Sequence, residues 1–435
     1  MMIKRLLLLG LLLITAVQLV QAQQTPHVFE GAEIIPIEGD PIANGVLVVQ
    51  DGKITAVGAA GSVSVPRNAV RHDMSGMVIM PGLVDTHSHI GEGDGGDGSS
   101  SMHPDVRIMD TIDPRSKTFI KAMAGGITTV NIMPGSGLLM SGQTVYVKTK
   151  PSNTIEEMLV VVDEETGIYG GLKMANGTNP LRSSGSPGTR AKSAALVRGL
   201  FVKAQDYQNK IREADGDPEK MPARDLQMET LVEVLEGKRI VHHHTHRHDD
   251  ILTAIRLSEE FGYRVVLQHV SEAWRVADEI AGSSVVGSSI IQIDSPGGKL
   301  EAINLLNING KALEDAGAPV AYHTDDPIVD SRFFLRSAAL GVNEGMSRQK
   351  ALEAVTIAGA RLLDLDHRVG SLEPGKDADF IILNGDPFSV YTHIEQTWIE
   401  GEKAWDRSNP DDKVYATGGY DIFRHNATHV HDIHE

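Results

Sequence analysis

The sequence predicts an α/β protein, a (β/α)8 barrel of the TIM type carrying a small β-sandwich made from the two ends of the chain, and three observations predict it. Between about Pro81 and Asp364, apolar strand-like runs alternate with helix-like ones, the pattern of parallel strands joined by right-handed crossovers. The stretches before Met80 and after Asp364 read instead as short strands with turn residues between them. Histidines and an aspartate stand where inner strands should end, and in such barrels side chains distant in sequence converge at the C-terminal strand ends. The 435 residues exceed one ordinary domain, and a barrel of roughly 250 residues with a smaller companion accounts for them.

In chain order, residues 1–22 read as a signal peptide. Lys4 and Arg5 precede an apolar run from Leu6 to Val20, and Val20-Gln21-Ala22 offers a small-residue cleavage site. The run is short for a membrane span, so export with cleavage, to the periplasm, is expected over a retained anchor. The chain carries a net charge of −18 and loses two cations and no acid with that peptide, which argues against nucleic acid as a partner. A small-molecule substrate and, at most, further copies of the same chain are the expected partners. There is no cysteine, so any metal must be held by histidine, carboxylate or a modified lysine.

Residues 23–80 form the first part of the sandwich. Strands are read at Val28–Ile37, Gly45–Gln50 and Lys53–Val57, with Asp51-Gly52 as a hairpin turn whose two residues take positive φ. The barrel spans residues 81–365. Its strands include Gly126–Ile132, Arg239–His242, Tyr263–His269 and Pro319–His323, and its clearest helix is Ala191–Ala214. Asp249 is placed to cap a helix running to Phe261. Residues 366–422 complete the sandwich with strands at Asp379–Leu383 and Gln396–Glu400 and a Gly401-Glu402 turn. Residues 423–435 are a histidine-rich tail (His425, His429, His431, His434) with no catalytic role assigned.

The organising motif is Met80-Pro81-Gly82-Leu83-Val84-Asp85-Thr86-His87-Ser88-His89. Alternate side chains share a face of a strand, so His87 and His89 aim two imidazoles at one point. Alone, the pair reads more readily as hydrogen-bonded core histidines. By the same parity His242, His244 and His246 share a face and His243 points away. His269 follows His244 by 25 residues, one β/α unit, and Asp325 follows His269 by 56, two units. Ligands thus fall at the ends of strands 1, 5, 6 and 8, and their joint placement points to a catalytic metal site. His246 and His323 face inward by parity, as groups that polarise a carbonyl or orient a neighbour. Arg190 and Lys299 lie on loops that can meet an anionic substrate group.

These residues resemble the amidohydrolase superfamily of metal-dependent hydrolases. The likeness lies in Pro-Gly-Leu-Val-Asp-Thr-His-Ser-His, the later His244 and His269, the Thr324-Asp325 strand end, and Glu373–Leu383, which is similar to the strand with which members re-enter their sandwich. More narrowly, Pro134-Gly-Ser, Ser141-Gly-Gln143, Gly171–Pro180 and Thr189-Arg190 resemble the imidazolonepropionase-like subgroup. The resemblance implies a divalent metal, zinc by expectation. It also implies a role for Lys173: a lysine ending strand 4 in many members is carboxylated and bridges two metals. On that reading His87, His89, Lys173 and Asp325 surround one ion, and Lys173, His244 and His269 the other. Without the carbamate, a single ion held by His87, His89, His244 and Asp325 is expected.

The chemistry expected is cleavage of a C–N bond in an amide, cyclic amide or dipeptide by a metal-activated hydroxide, with Asp325 as general base and then acid. A mononuclear deaminase and an imidazolonepropionase-type cyclic amidase are alternatives on the same scaffold. A non-catalytic periplasmic zinc-binding protein is the alternative of another class.

Overall fold

The computed structural model describes residues 24–292 and 299–417. The expected signal peptide over 1–22 and the histidine-rich tail lie outside the described residues. Among those described, no helix is long and apolar enough to cross a membrane.

The chain begins with β1 (His27–Ile34), β2 (Ile42–Gln50), β3 (Lys53–Ala59), β4 (Val70–Asp73) and β5 (Val78–Pro81). Asp51 and Gly52 join β2 to β3 with φ of 51° and 75°, the left-handed pair that matches the twist of a two-residue hairpin. After one residue, Gly82, the chain enters β6 (Leu83–Ser88), which is buried along its whole length.

Next come α1 (Lys117–Ala124), β7 (Ile127–Ile132), β8 (Met140–Gln143), β9 (Val145–Lys148) and β10 (Leu172–Ala175). β6 and β7 are parallel. The segment carrying β8 and β9 is not parallel to its neighbours as expected: β9 runs antiparallel to β7 and β8 antiparallel to β10. The reason is length, since residues 133–139 are too few for the dozen-residue crossover that a parallel return requires. Only Thr144 separates β8 from β9.

Regular alternation follows: α2 (Arg190–Ala214), α3 (Leu226–Leu235), β11 (Val241–Thr245), α4 (His248–Phe261), β12 (Val265–His269), α5 (Ala277–Ala281), β13 (Gly287–Ile291), α6 (Asn309–Ala316) and β14 (Val320–His323). β10 to β14 are parallel in sequence order. Thr189 caps α2 by accepting the Lys192 amide, and Val197, Leu200, Phe201 and Ala204 form its buried stripe. Asp249 does not cap α4. The cap is Arg247, and Asp249 sits in the first turn, where its carboxylate meets the helix dipole and pairs with Arg247 (3.0 Å).

After α7 (Phe334–Asn343), α8 (Arg348–Ala354) and α9 (Ile357–Leu362), the chain ends in β15 (Phe380–Leu383), β16 (Ile394–Ile399), β17 (Glu402–Asp406) and α10 (Pro410–Thr417). The turn after β16 falls one residue earlier than expected, with positive φ at Glu400 and Gly401. Strands of both ends meet as anticipated, but they hydrogen-bond into one eight-stranded sheet, β17-β16-β15-β5-β1-β2-β3 with β4 beside β1. The seam is β5, parallel to β1 and antiparallel to β15. Phe29, Phe380 and Trp398 pack over it with ring centroids 4.9–5.6 Å apart.

The inner strands form a six-stranded sheet, β14-β13-β12-β11-β10-β8, and a three-stranded one, β6-β7-β9. At the β14–β6 side, the Asp325 amide donates to the His87 carbonyl (2.9 Å) and the His89 amide to the Asp326 carbonyl (3.2 Å). Ile240, Val266, Ala321 and Leu362 cluster on the face that, two residues further along the strands, carries His242, Gln268 and His323.

Candidate metal centre

The ends of β6 and β14 bring three lone-pair atoms together. His87 Nε2 and His89 Nε2 are 3.3 Å apart, and Asp325 Oδ1 lies 3.3 Å from the first and 3.0 Å from the second. All three residues are buried. Four ligands about 2.0–2.1 Å from a tetrahedral zinc stand about 3.3 Å from one another, so the spacing fits a cation at their centre. His89 is oriented for this: its Nδ1 faces the Met133 carbonyl (2.8 Å), which can only accept, so Nδ1 carries the proton and Nε2 is presented inward.

A second set, His244, His246 and His269, lies beside the first, with ligand atoms within 4.8 Å of one another. The His87 and His269 rings are 4.8 Å apart, centroid to centroid. His269 Nε2 is buried and without a hydrogen-bond partner, as a ligating nitrogen would be. His246 is steadied by Ser271 Oγ on its Nδ1 (2.7 Å). His323 Nε2 meets His269 Nδ1 (3.1 Å), and its own Nδ1 meets Ser289 Oγ (2.7 Å), which is in turn bonded to Thr86 Oγ1.

Two of these positions depend on unusual backbone. Gln268 hydrogen-bonds His242 inside the sheet (3.2 Å), so strict alternation would turn the next residue outward. His269 nevertheless reaches the cluster because its φ is 70°, a left-handed conformation rare outside glycine. Asp325 has φ 51°. Sites with such residues hold them by surrounding bonds, and here Asp326 does so: its carboxylate binds Lys121 Nζ (2.7 and 2.8 Å) and the Ser331 amide and hydroxyl, all buried.

Lys173, at the second position of β10, is fully buried with Nζ 3.1 Å from His87 Nε2 and 3.1 Å from Met133 Sδ. Burial lowers its pKa to about 7, which leaves a large share of it as free amine near neutrality. Burial likewise holds His87 and His269 well below the ordinary imidazole range and His323 at about 3. Neutral imidazoles are the form that ligates metal.

Of the other expected residues, His242 lies lower in the sheet, bonded to the Tyr146 hydroxyl (2.9 Å), and His243 faces outward, as parity predicted. Lys299 stands at the cluster, where burial lowers its pKa against the pull of Asp325 and Glu301. Arg190 is engaged elsewhere, its Nε donating to both carboxylate oxygens of Asp250 (2.9 and 3.0 Å). Sequence reasoning missed Glu301. This buried carboxylate lies 3.3 Å from His244 Nε2 and accepts the Thr178 amide (2.6 Å). The Asn179 amide, oriented to satisfy both neighbours, donates to Glu301 (3.0 Å) and accepts from Lys299 (3.1 Å).

Histidines and a carboxylate gathered at strand ends of an α/β fold are the arrangement of a metal-dependent enzyme. Residues 289–403 match the model of the amidohydrolase family. An amidohydrolase from Thermotoga maritima, of known structure, is 32% identical and superposes with a TM-score of 0.81, covering 87% of this chain and 100% of its own. Amidohydrolase tasK of Hapsidospora irregularis is 28% identical over 83% of this chain, which spans 40% of that protein's length. Imidazolonepropionase of Rhizobium rhizogenes is 24% identical over 84% of this chain and 93% of its own. The chain belongs to the amidohydrolase superfamily and is a hydrolase of carbon–nitrogen bonds.

Proposed function

We propose that the chain is an exported, zinc-dependent amidohydrolase whose substrate is an N-acyl amino acid, a dipeptide or a cyclic amide. The observation that carries this reading is the convergence of His87 Nε2, His89 Nε2 and Asp325 Oδ1 within 3.0–3.3 Å of one another. The inner strands are read as one (β/α)8 barrel over residues 81–365, closed between β14 and β6, with the β8–β9 segment as its third strand. The described parts of residues 23–80 and 366–422, residues 24–80 and 366–417, are read as the companion domain.

His87, His89, Lys173 and Asp325 would hold one ion, and Lys173, His244 and His269 a second. Zinc bound there supplies Lewis acidity and lowers the pKa of water. The low pKa of Lys173 supports the carbamate, since the free amine is the form that adds to CO2. Asp325 takes a proton from the attacking water and returns it to the leaving nitrogen. His246, fixed by Ser271, hydrogen-bonds the scissile carbonyl, and His323, held by Ser289 and through it by Thr86, orients His269. Lys299 receives an anionic substrate group. Arg190, held by Asp250, has no part in this step.

The test is a turnover screen of the metal-loaded protein against dipeptides, N-acyl amino acids and cyclic amides, with metal analysis of wild type and Lys173→Ala. Hydrolysis within one class, with about two ions per chain falling to one, is expected. One ion in both proteins would remove the bridge, and tight zinc without any turnover would favour a zinc-binding protein. Cell fractionation tests export: retention of the chain in the cytoplasm contradicts it.

A further inference from the structure

Lys121 stands on α1 and is fully buried. Its Nζ meets both carboxylate oxygens of Asp326, at 2.8 Å from Oδ1 and 2.7 Å from Oδ2. From the short 3₁₀ turn Ser331–Phe333, the Ser331 amide (2.8 Å) and hydroxyl (2.6 Å) donate to the same Oδ2. Helix and turn lie very close: a Cβ added at Gly125, the residue after α1, would stand 2.1 Å from the Ser331 carbonyl oxygen. On its other side α1 is tied to the terminal sheet, where Thr397 Oγ1 of β16 donates to the Met123 carbonyl (2.7 Å).

Asp326 carries no proposed ligand atom, yet its backbone joins two residues that do. Its amide donates to Thr324 Oγ1 (3.0 Å), and its carbonyl accepts the His89 amide (3.2 Å). The residue before it is Asp325, at φ 51°. Such a conformation persists only where the surroundings hold it, so anchoring the Asp326 carboxylate from α1 sets both the peptide on which Asp325 turns and the strand end that presents His89. Apolar packing can hold two elements together as well as a buried ion pair does. What charge adds here is direction, because the bonds from Lys121 and Ser331 converge on one carboxylate.

We propose, on the reading that Asp325 is the proton acceptor, that Lys121 is a positioning residue for the hydrolysis: acting through Asp326, it holds the Asp325 carboxylate in its place beside His87 and His89. On this account α1 is a brace between the terminal sheet and the metal centre.

The test is Lys121→Met in the metal-loaded full chain, alone and combined with Asp325→Asn. On an amide found by the turnover screen, kcat should fall about tenfold or more while KM stays within about twofold. In the Asp325→Asn background Lys121→Met should cost nothing further, since residues that act as a unit are not additive. An equal loss in both backgrounds, or no loss in either, overturns the proposal. The absorption bands of the cobalt-loaded protein follow ligand geometry and need no substrate. They should move in Lys121→Met, and unmoved bands overturn the proposal even where the screen finds no turnover and the amidohydrolase reading itself fails. Should Lys121→Met fail to fold by circular dichroism, Ser331→Ala, which takes one bond from the same carboxylate, decides on the same criteria.

Discussion

Asp85 and Thr324, 239 residues apart, are joined by two hydrogen bonds: the Thr324 amide donates to Oδ1 (3.0 Å) and its hydroxyl to Oδ2 (2.5 Å). They flank the two strand ends that present His87, His89 and Asp325, so the pair sets the register of the first candidate ion site. Thr324→Val removes the hydroxyl and leaves a buried carboxylate oxygen short of a partner, at a cost of about 1–3 kcal/mol. Urea unfolding should show that loss, and kcat should fall with it, since a shift of Asp325 misplaces the proton acceptor. Unchanged stability would mean that the contact does not brace the strand ends.

Asp325→Asn keeps the shape of the side chain and removes its basicity. General acid–base groups contribute about 10²–10⁴-fold, so kcat should fall by that order while more than half of the metal is retained. Metal analysis alongside steady-state kinetics separates the two. Loss of metal in proportion to activity would make Asp325 a ligand only.

Glu301 meets the second set of histidines from outside the strand ends. Partners that orient metal-binding histidines are worth about 10–100-fold in affinity, so Glu301→Gln should weaken zinc by about tenfold in chelator competition. An unaltered affinity would confine Glu301 to holding the Thr178 amide.

Lys148, fully buried on β9, binds Asp377 (3.0 Å) and Asp379, and Asp377 also binds Lys53 (2.6 Å) and Arg368 (3.0 Å). Lys148→Met leaves two buried carboxylates without their common cation, a loss of about 3–5 kcal/mol. Within the cluster, Asp377 predicts an acid limb, against which Asp379 works because burial raises its pKa. Burial raises the Asp377 pKa, but Lys148, Lys53 and Arg368 outweigh it and bring it to about 2. A depressed carboxyl stabilises the fold above its unfolded pKa and ceases to as pH falls toward its folded one. About 2 kcal/mol should therefore drain away between roughly pH 4 and pH 2. Unfolding free energies across that interval, compared with Asp377→Asn, measure it.

How much of this was legible in the sequence follows from the range of the forces involved. Strand parity is local, and it placed His87 with His89 and turned His243 outward. Spacing by β/α units put His244, His269 and Asp325 at strand ends, although neither parity nor spacing signals the left-handed φ that aims His269 inward. The antiparallel β8–β9 segment was missed because the decisive quantity is the short connection after Ile132, which a search for alternating strands and helices passes over. The buried lysines were illegible for another reason. Lys121 meets Asp326 and Lys148 meets Asp379, 205 and 231 residues away, and a lysine's own neighbours carry no trace of such a partner. Glu301 was hidden similarly, on a short 3₁₀ turn (Leu300–Ala302) with no periodicity to read.

β5 is an interior strand whose two neighbours come from opposite ends of the chain. While the protein is being made, β1 can pair with it at once, but β15 follows roughly 300 residues later, on the order of 15–60 s at typical synthesis rates of about 5–20 residues per second. For that interval the apolar edge of Val78–Pro81 stands open, and open edges invite foreign strands. The sheet thus stays open at β5 until Phe380–Leu383 is available to close it, so its completion waits on the C-terminal end of the chain.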